Sequence, residues 1–534
     1  MRGLIIGALA LTLMASALAD LQNVDIGGEI RIRGRYFGNG VTTGIGRELR
    51  FPTATVPERA LGLFGLTSVY DADNRGSDRT FVEQRTTLNI TADFTDQVTA
   101  FIEFESWGLW GETNALGNEF RSNYITGVDS RAWTGDDVEV FQAYIEAKEM
   151  FGYPVSLRVG RQELIFGESW LVGSRVSPTL GISYDGVRAT YAHEDFTVDA
   201  WWTKLAERFT AFGDDDIDFY GVWGAYKGID NLTIELYYLL LHDGTDIRLT
   251  NRGLFWEWVE GVVGLDDYDS TYLQTLGLHL DGKAGNFDYD LQLAYQWGRA
   301  MPYLFNPTTG VFTLYTQTPF TFYADNRANY DAWGADFEVG YTFADTKMKP
   351  RVYVGGAYFS GDDNRDISFW DWLNPFDKPE TSLAFNRIFS GVWYSANIDI
   401  LGGASAMTNF HQVRAGATAQ ITDAVTLGLN LAYFGINDPF HWPAGFRLGG
   451  YHVPYAPTLS FWTEEAADDI GYMAHAWLLY KYSKDWWVRI GWERLFTGDG
   501  VRDGSFVLKN GHELLAGTDD DDMDYIYFDT QIKF

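Results

Sequence analysis

Arginine is the residue whose placement in this sequence asks for an explanation. Arg31, Arg33 and Arg35 stand on alternate positions of VDIGGEIRIRGRYF (24–37), and more arginines sit in LRVGRQELIFGESWLVG (157–173) and YDGVR (184–188). A guanidinium is always charged and presents its N–H donors in a fork that fits carboxylates and phosphates. A row of them is therefore either an anion-binding surface or one half of a set of ion pairs. The glycine-flanked GRQ is not a nucleotide loop, because no lysine follows the glycines and no helical pattern succeeds them. G-x-S-x-G, H-E-x-x-H and Walker-type patterns are absent, and the 8 histidines are scattered. In a chain with 73 acidic residues, carboxylate pairs say nothing about acid–base catalysis. No enzyme, resident cofactor or structural metal is expected.

The elements that must hold these arginines follow a period of two. In FVEQRTTLNITADF (81–94), Glu83, Arg85, Thr87, Asn89, Thr91 and Asp93 share one face, and Val82, Leu88, Ile90 and Phe94 share the other. Segments 231–243, 286–297, 331–343, 411–421 and 423–434 behave alike, each about as long as a tilted strand needs to cross a bilayer. Taken alone, one such segment also suits a soluble sandwich. The connections decide: short turns alternate with long loops, which joins about eighteen strands with both ends on the short-turn side. The predicted fold is all-β, a transmembrane antiparallel β-barrel of about 18 strands with short periplasmic turns and long extracellular loops. Such a barrel is wide enough for an aqueous channel.

The ends and the composition agree. Residues 1–19 carry one arginine, a short apolar run and Ala17-Leu18-Ala19, the layout of a cleaved signal peptide, leaving 20–534 as one barrel domain. The last segment, DYIYFDTQIKF, alternates and ends on the aromatic Phe534, resembling the strand by which outer-membrane barrels engage the barrel assembly machinery. Cysteine is absent, aromatic residues reach 16%, and the net charge of −33 argues against nucleic acid. Localisation is expected in the outer membrane of a Gram-negative-type bacterium, against lipid and lipopolysaccharide. The acidic runs 213–218, 360–366 and 518–524 read first as solvated loops, with weak loop-bound Ca2+ as the sharper alternative.

Strand parity then sorts the charges. With the greasy face on lipid, Arg31, Arg33, Arg35, Arg85, Arg158, Arg188, Arg351, Arg414 and Arg489 point into the lumen. Inward acids, Asp199, Glu235, Asp288, Asp290, Asp336 and Glu338, gather on the seventh to twelfth strands. This reads as a basic wall facing an acidic wall across the pore, or as ion pairs between neighbouring strands, with Glu83, Glu103, Glu105 and Glu146 serving the basic side. Trp201, Trp202, Trp486, Trp487 and Trp492 read as interfacial girdles. The aromatic segments 254–265 and 367–376 read as packing in a loop cap, or as a constriction whose rings stack on sugars.

RVGRQELIFGESWLVGS followed by SYDGVRATY resembles the strand, long loop and returning strand of the alginate-export family of outer-membrane barrels. Tyr184 stands where that pattern usually has Phe. The resemblance implies a monomer passing a polyuronate through an arginine-rich constriction, and it carries Arg158, Arg161, Gln162 and Arg188 into the pore-lining set. The expected function is a porin for passive diffusion of hydrophilic, anionic or sugar-like solutes. The alternatives are dedicated export of an acidic exopolysaccharide such as alginate, and a structural barrel docking a periplasmic or electron-transfer partner. From Arg161 onward the chain is expected to run in an external loop.

Overall fold

A computed structural model describes residues 21–39, 78–110, 138–174, 181–207, 216–244, 270–299, 303–306, 311–314, 322–323, 328–361, 381–399, 407–439, 441–443, 445–448, 451–454, 463–503, 506–508, 513–515 and 521–534. Segment 1–19, expected to be a signal peptide, the aromatic segments 254–265 and 367–376, and most of the acidic runs lie outside the described residues.

Each alternating segment forms a strand, because period-two patterning gives it one apolar face and one polar face. The strands are β1 (Asn23–Gly38), β2 (Arg79–Thr95), β3 (Val98–Leu109), β4 (Glu139–Ala147), β5 (Val155–Gln162) and β6 (Tyr184–Ala192). Next come β7 (Phe196–Ala206), β8 (Ile217–Ile229), β9 (Leu232–Asp243), β10 (Thr271–Ala284), β11 (Phe287–Arg299) and β12 (Ala328–Thr342). The circle is completed by β13 (Arg351–Phe359), β14 (Phe410–Gln420), β15 (Val425–Ile436), β16 (Asp469–Lys481), β17 (Trp486–Thr497) and β18 (Met523–Lys533). Every strand is antiparallel to the next, and β18 returns to β1 with Glu29 opposite Lys533 and Gly38 opposite Asp524. The result is a closed 18-strand barrel, as the alternation predicted. Short turns and the two barrel ends share one rim, and the long connections share the other.

Ile26, Leu236 and Val413 stand on the outer face, each more than half exposed, in a belt of apolar side chains that circles the barrel. Among the described residues no helix is long and apolar enough to cross a membrane; the strands do the crossing. The buried core is inside the barrel, where, among the described residues, two connections supply most of the chain that folds inward, joined by Val501 from the connection between β17 and β18. Leu164, Phe166, Trp170, Leu171 and Val172, between β5 and β6, are buried against Trp201, Trp223, Tyr237 and Leu273 on the strand walls. From the connection between β13 and β14, Leu383, Phe385 and Ile388 enter the same core. A three-residue strand, Thr381–Leu383, pairs parallel with the start of β12 and anchors that second connection. The sequence-level expectation that the chain runs outside from Arg161 onward is therefore corrected. Apolar residues there turn inward because the wall offers them an aromatic surface.

The seam where the barrel closes is tight. Gly28 and Phe534 exchange both backbone hydrogen bonds, at 3.0 and 3.1 Å. A β-carbon on Gly28 would lie 2.6 Å from the Phe534 ring and 2.6 Å from the Thr87 carbonyl oxygen. Gly28→Val should therefore cost about 1–3 kcal/mol through overpacking. In a heat-modifiability gel the folded band should convert to the unfolded one at a lower temperature; an unchanged transition would show that the seam tolerates a side chain.

Candidate functional site

The two inward connections brace one another across the lumen. Phe389 N–H donates to the Leu171 carbonyl at 3.0 Å, Gly173 N–H donates to the Phe389 carbonyl at 3.0 Å, and Gly391 N–H donates to the Ser169 carbonyl at 2.8 Å. Phe166 stacks on Trp201 at 4.8 Å and on Trp223 at 5.2 Å, and Trp223 stacks in turn on Tyr237 at 3.9 Å. Such ring pairs contribute about 0.5–1.5 kcal/mol each beyond their area burial. Polar ties complete the brace. Gln292 donates to the Gly167 carbonyl at 3.0 Å, and Gln296 exchanges two bonds with the Asn386 backbone, at 2.7 and 2.8 Å. Arg387 is fully buried and holds the carbonyls of Met407 and Val392 beneath the rings of Phe359 and Tyr394.

The GRQ and YDGVR residues organise the base of the first inward connection. Gln162 is fully buried and reaches the Gly160 and Gly186 carbonyls at 3.3 and 3.4 Å. Tyr184, also fully buried, donates to the Gly173 carbonyl at 2.8 Å. Arg188 bonds Asp199 at 2.8 Å and lies 4.9 Å from the Phe166 ring centre. Arg161 departs from its expected lumen position. It shares the face of Val159, is exposed, and grips Asp185 through two bonds of 2.8 and 2.9 Å on the outside of the hairpin. The parity of β5 puts Arg158 and Gln162 inward, so Arg161 cannot follow them.

Nearly every inward arginine has a carboxylate on a neighbouring strand. Arg31 bonds Asp529 at 2.5 Å; Arg33 contacts Asp529 at 3.3 Å and Glu83 at 3.7 Å; Arg35 bonds Glu83 at 2.5 Å; Arg85 bonds Glu29 at 2.5 Å; and Arg158 bonds Glu146 at 3.1 Å. The acids of the expected acidic wall are paired too. Arg351 binds Asp288 and, at 2.9 Å, Glu338, while Arg414 binds Asp336 at 2.7 Å and Glu338 at 3.3 Å. Glu235 and Asp290 clamp His279 from both sides, at 2.7 and 2.6 Å. Two uninterrupted walls of opposite charge are thus corrected to a lattice of local pairs. Desolvation explains it, since removing one partner of a buried pair costs about 3–5 kcal/mol. Arg489 is the exception: it stacks 4.5 Å from the Trp477 ring centre and 5.8 Å from that of Tyr527, with no ion pair among the described residues. Trp201 and Trp487 also depart from expectation. Trp201 is buried under Phe166 and Trp487 lies beneath Arg31, whereas Trp202, Trp486 and Trp492 face outward.

Around the brace the lumen keeps two chambers. One, of about 290 Å³, is lined by Arg31, Arg33, Arg35 and Arg489 against Glu493 and Asp529. The other, of about 320 Å³, is lined by Glu168, Asp290, Asp336 and Glu338 against Arg414. Trp393, Tyr394 and Asn430 line both. Tyr394 is fixed by donating to Asp336 at 2.6 Å and accepting from Trp170 at 3.2 Å. Glu493 accepts from Ser395 and Asn397, so the second connection is tied to both chambers. Glu168 sits at a left-handed φ of 53°, and partial burial, reinforced by the charge of Asp290, pushes its carboxyl above the ordinary range. Sequence reasoning missed Glu168, Trp393, Tyr394 and Asn430 as lining residues. Asn430 was available from the parity of β15, while the others lie in connections with no period. The described parts of the acidic runs make local pairs, Asp216 and Asp218 with Lys204, and Asp522 and Asp524 with Arg494.

Comparison with known proteins gives a family model, alginate export, that matches residues 67–438. Among solved structures the chain is similar to OccAB1 of Acinetobacter baumannii, with 12% identity, 96% of each chain covered and a TM-score of 0.47. It is also similar to OpdQ of Pseudomonas aeruginosa, at 11% identity and a TM-score of 0.45, covering 96% of this chain and 98% of that one. OccK8 (OprE) of Pseudomonas aeruginosa matches at 12% identity and a TM-score of 0.45, with the same coverage. No curated protein matches.

The brace can be tested at its polar tie. Gln296→Leu leaves the Asn386 N–H and carbonyl without their partner, at a cost of about 1–3 kcal/mol for each buried group left unsatisfied. In planar bilayers the variant should show larger and noisier single-channel currents than the wild type; identical traces would mean that the second connection is held without this pair.

Proposed function

The chain belongs to the alginate-export family and is an outer-membrane β-barrel channel; from that premise we propose that it passes small hydrophilic solutes by passive diffusion, with a preference for anionic or sugar-like ones. The observation that carries this reading is the brace of two connections inside the barrel. It leaves charged chambers of about 290 and 320 Å³, at the lower end of the size of small-molecule sites. In the first chamber four arginines face two carboxylates, and Arg489 has no ion pair among the described residues, which gives an entering anion a partner already in place. The other pore-lining arginines act mainly through the pairs they make, holding the walls in register. The protein is a transporter with no reaction of its own. It contacts outer-membrane lipid through its apolar belt and works as a monomer inserted by way of its C-terminal strand and Phe534. The acidic connections act first as solvated loops, and Ca2+ bound there would have no part in the passage of solute.

The family description favours a second reading, export of an acidic polysaccharide, in which the brace opens to admit a chain. Planar-bilayer recordings separate the two. In a salt gradient the wild type should be anion-selective, and Arg489→Gln should lower the anion-to-cation permeability ratio by about two- to threefold. Micromolar polyuronate that blocks the current would favour export. A cation-selective wild type would overturn the arginine reading, and a barrel without conductance would favour a structural role in docking a partner.

A further inference from the structure

The two chambers are opposite in sign and share a wall, and this supports a narrower substrate class than anion preference alone. Four arginines face two carboxylates in one; four carboxylates face one arginine in the other. Ion pairing within the walls neutralises most of these groups, so what remains unpaired matters more than the totals. On the basic side that is Arg489, held over Trp477 and Tyr527. On the acidic side it is Glu168, which has no hydrogen bond or ion pair among the described residues, whereas Asp336 and Glu338 hold arginines and Asp290 holds His279. Glu168 is kept in place by its backbone: Gly167, Glu168 and Ser169 all adopt left-handed φ values of 51–66°, and Gly167 is tied to Gln292. Left-handed backbone at consecutive residues, two of them not glycine, costs free energy and persists only where the surroundings impose it.

A second, independent observation lies at the shared wall. Trp393 Nε1 and Asn430 Oδ1 are buried with no hydrogen-bond partner among the described residues, and both residues line both chambers. A buried donor and a buried acceptor on residues that border both cavities suit a polar guest. We propose that the two chambers form a recognition path for zwitterionic solutes, small molecules carrying one carboxylate and one ammonium group, with Arg489 attracting the carboxylate on one side of the shared wall at Trp393 and Glu168 attracting the ammonium on the other. This deepens the channel reading and rests on it. An anion satisfies only Arg489 and a cation only Glu168, while a molecule with both ends engages the two unpaired charges without disturbing the pairs in the walls.

Proteoliposome swelling tests the assignment with 4-aminobutanoate, the uncharged 4-hydroxybutanamide, butanoate and a neutral monosaccharide. The wild type should admit the amino acid about fivefold faster than the uncharged analogue, the factor expected of two partly screened charge contacts. With rates taken relative to the neutral sugar, Glu168→Gln should abolish the gain due to the ammonium without slowing butanoate, and Arg489→Gln should abolish the gain due to the carboxylate. Glu168→Lys supplies a second test: it should turn the preference toward the dianion butanedioate. Amino acid and uncharged analogue entering at equal rates, or an amino-acid advantage that survives Glu168→Gln, would overturn the proposal. A vesicle that admits neither sugar nor amino acid overturns the channel reading with it. Loss of anion selectivity with the amino-acid advantage intact would overturn only the preference for anions.

Discussion

Pairing of the first strand with the last is the constraint from which the rest of the molecule follows. Within hydrocarbon no water is available to a free N–H or carbonyl, so a sheet that crosses a membrane has to close on itself. Closure between β1 and β18 fixes the strand number, and the strand number fixes a lumen too wide for wall side chains alone to fill. Among the described residues the space is occupied mainly by chain borrowed from two long connections. Every apolar residue they bring needs a matching surface on the inner wall, which is why Trp201, Trp223 and Tyr237 face inward on three successive strands.

Charge obeys the same constraint at one remove. An arginine turned away from lipid enters a lumen partly covered by protein, where an unpaired ion is expensive. The antiparallel register answers by setting acids beside arginines on adjacent strands: Asp529 lies opposite Arg33, and Asp199 lies opposite Thr190, the next residue on the face of Arg188. Pairing is therefore the ordinary fate of an inward charge in this barrel. The exceptions among the described residues, Arg489 and Glu168, each line one of the two chambers.

The barrel was legible in the sequence because period two is a local signal and loop length needs no three-dimensional information. The strands, their faces and the alternation of turns and long connections could be read residue by residue. The interior was only partly legible. Parity showed that Arg414 and Asp336 point inward but not that they meet, since they lie 78 residues apart and are joined across β13. The inward connections carry no period, so Leu164 and Phe166 look like ordinary loop residues until the aromatic wall that receives them is in view. Arg161 belongs to the family-like motif, but motif membership does not set a side: parity places it on the outer face with Val159.

The brace joins parts of the chain that synthesis and assembly bring together late. Trp170 and Tyr394, bonded through their side chains, are separated by 224 residues, and nearly half the barrel wall lies between them. Loop-closure entropy opposes such a contact until the intervening strands are in register. The passage through this protein is consequently narrowed last. A barrel caught during insertion, with its wall complete and its brace unformed, is an open hole, and the cell must bring the chain from one state to the other quickly enough that its permeability barrier is not lost.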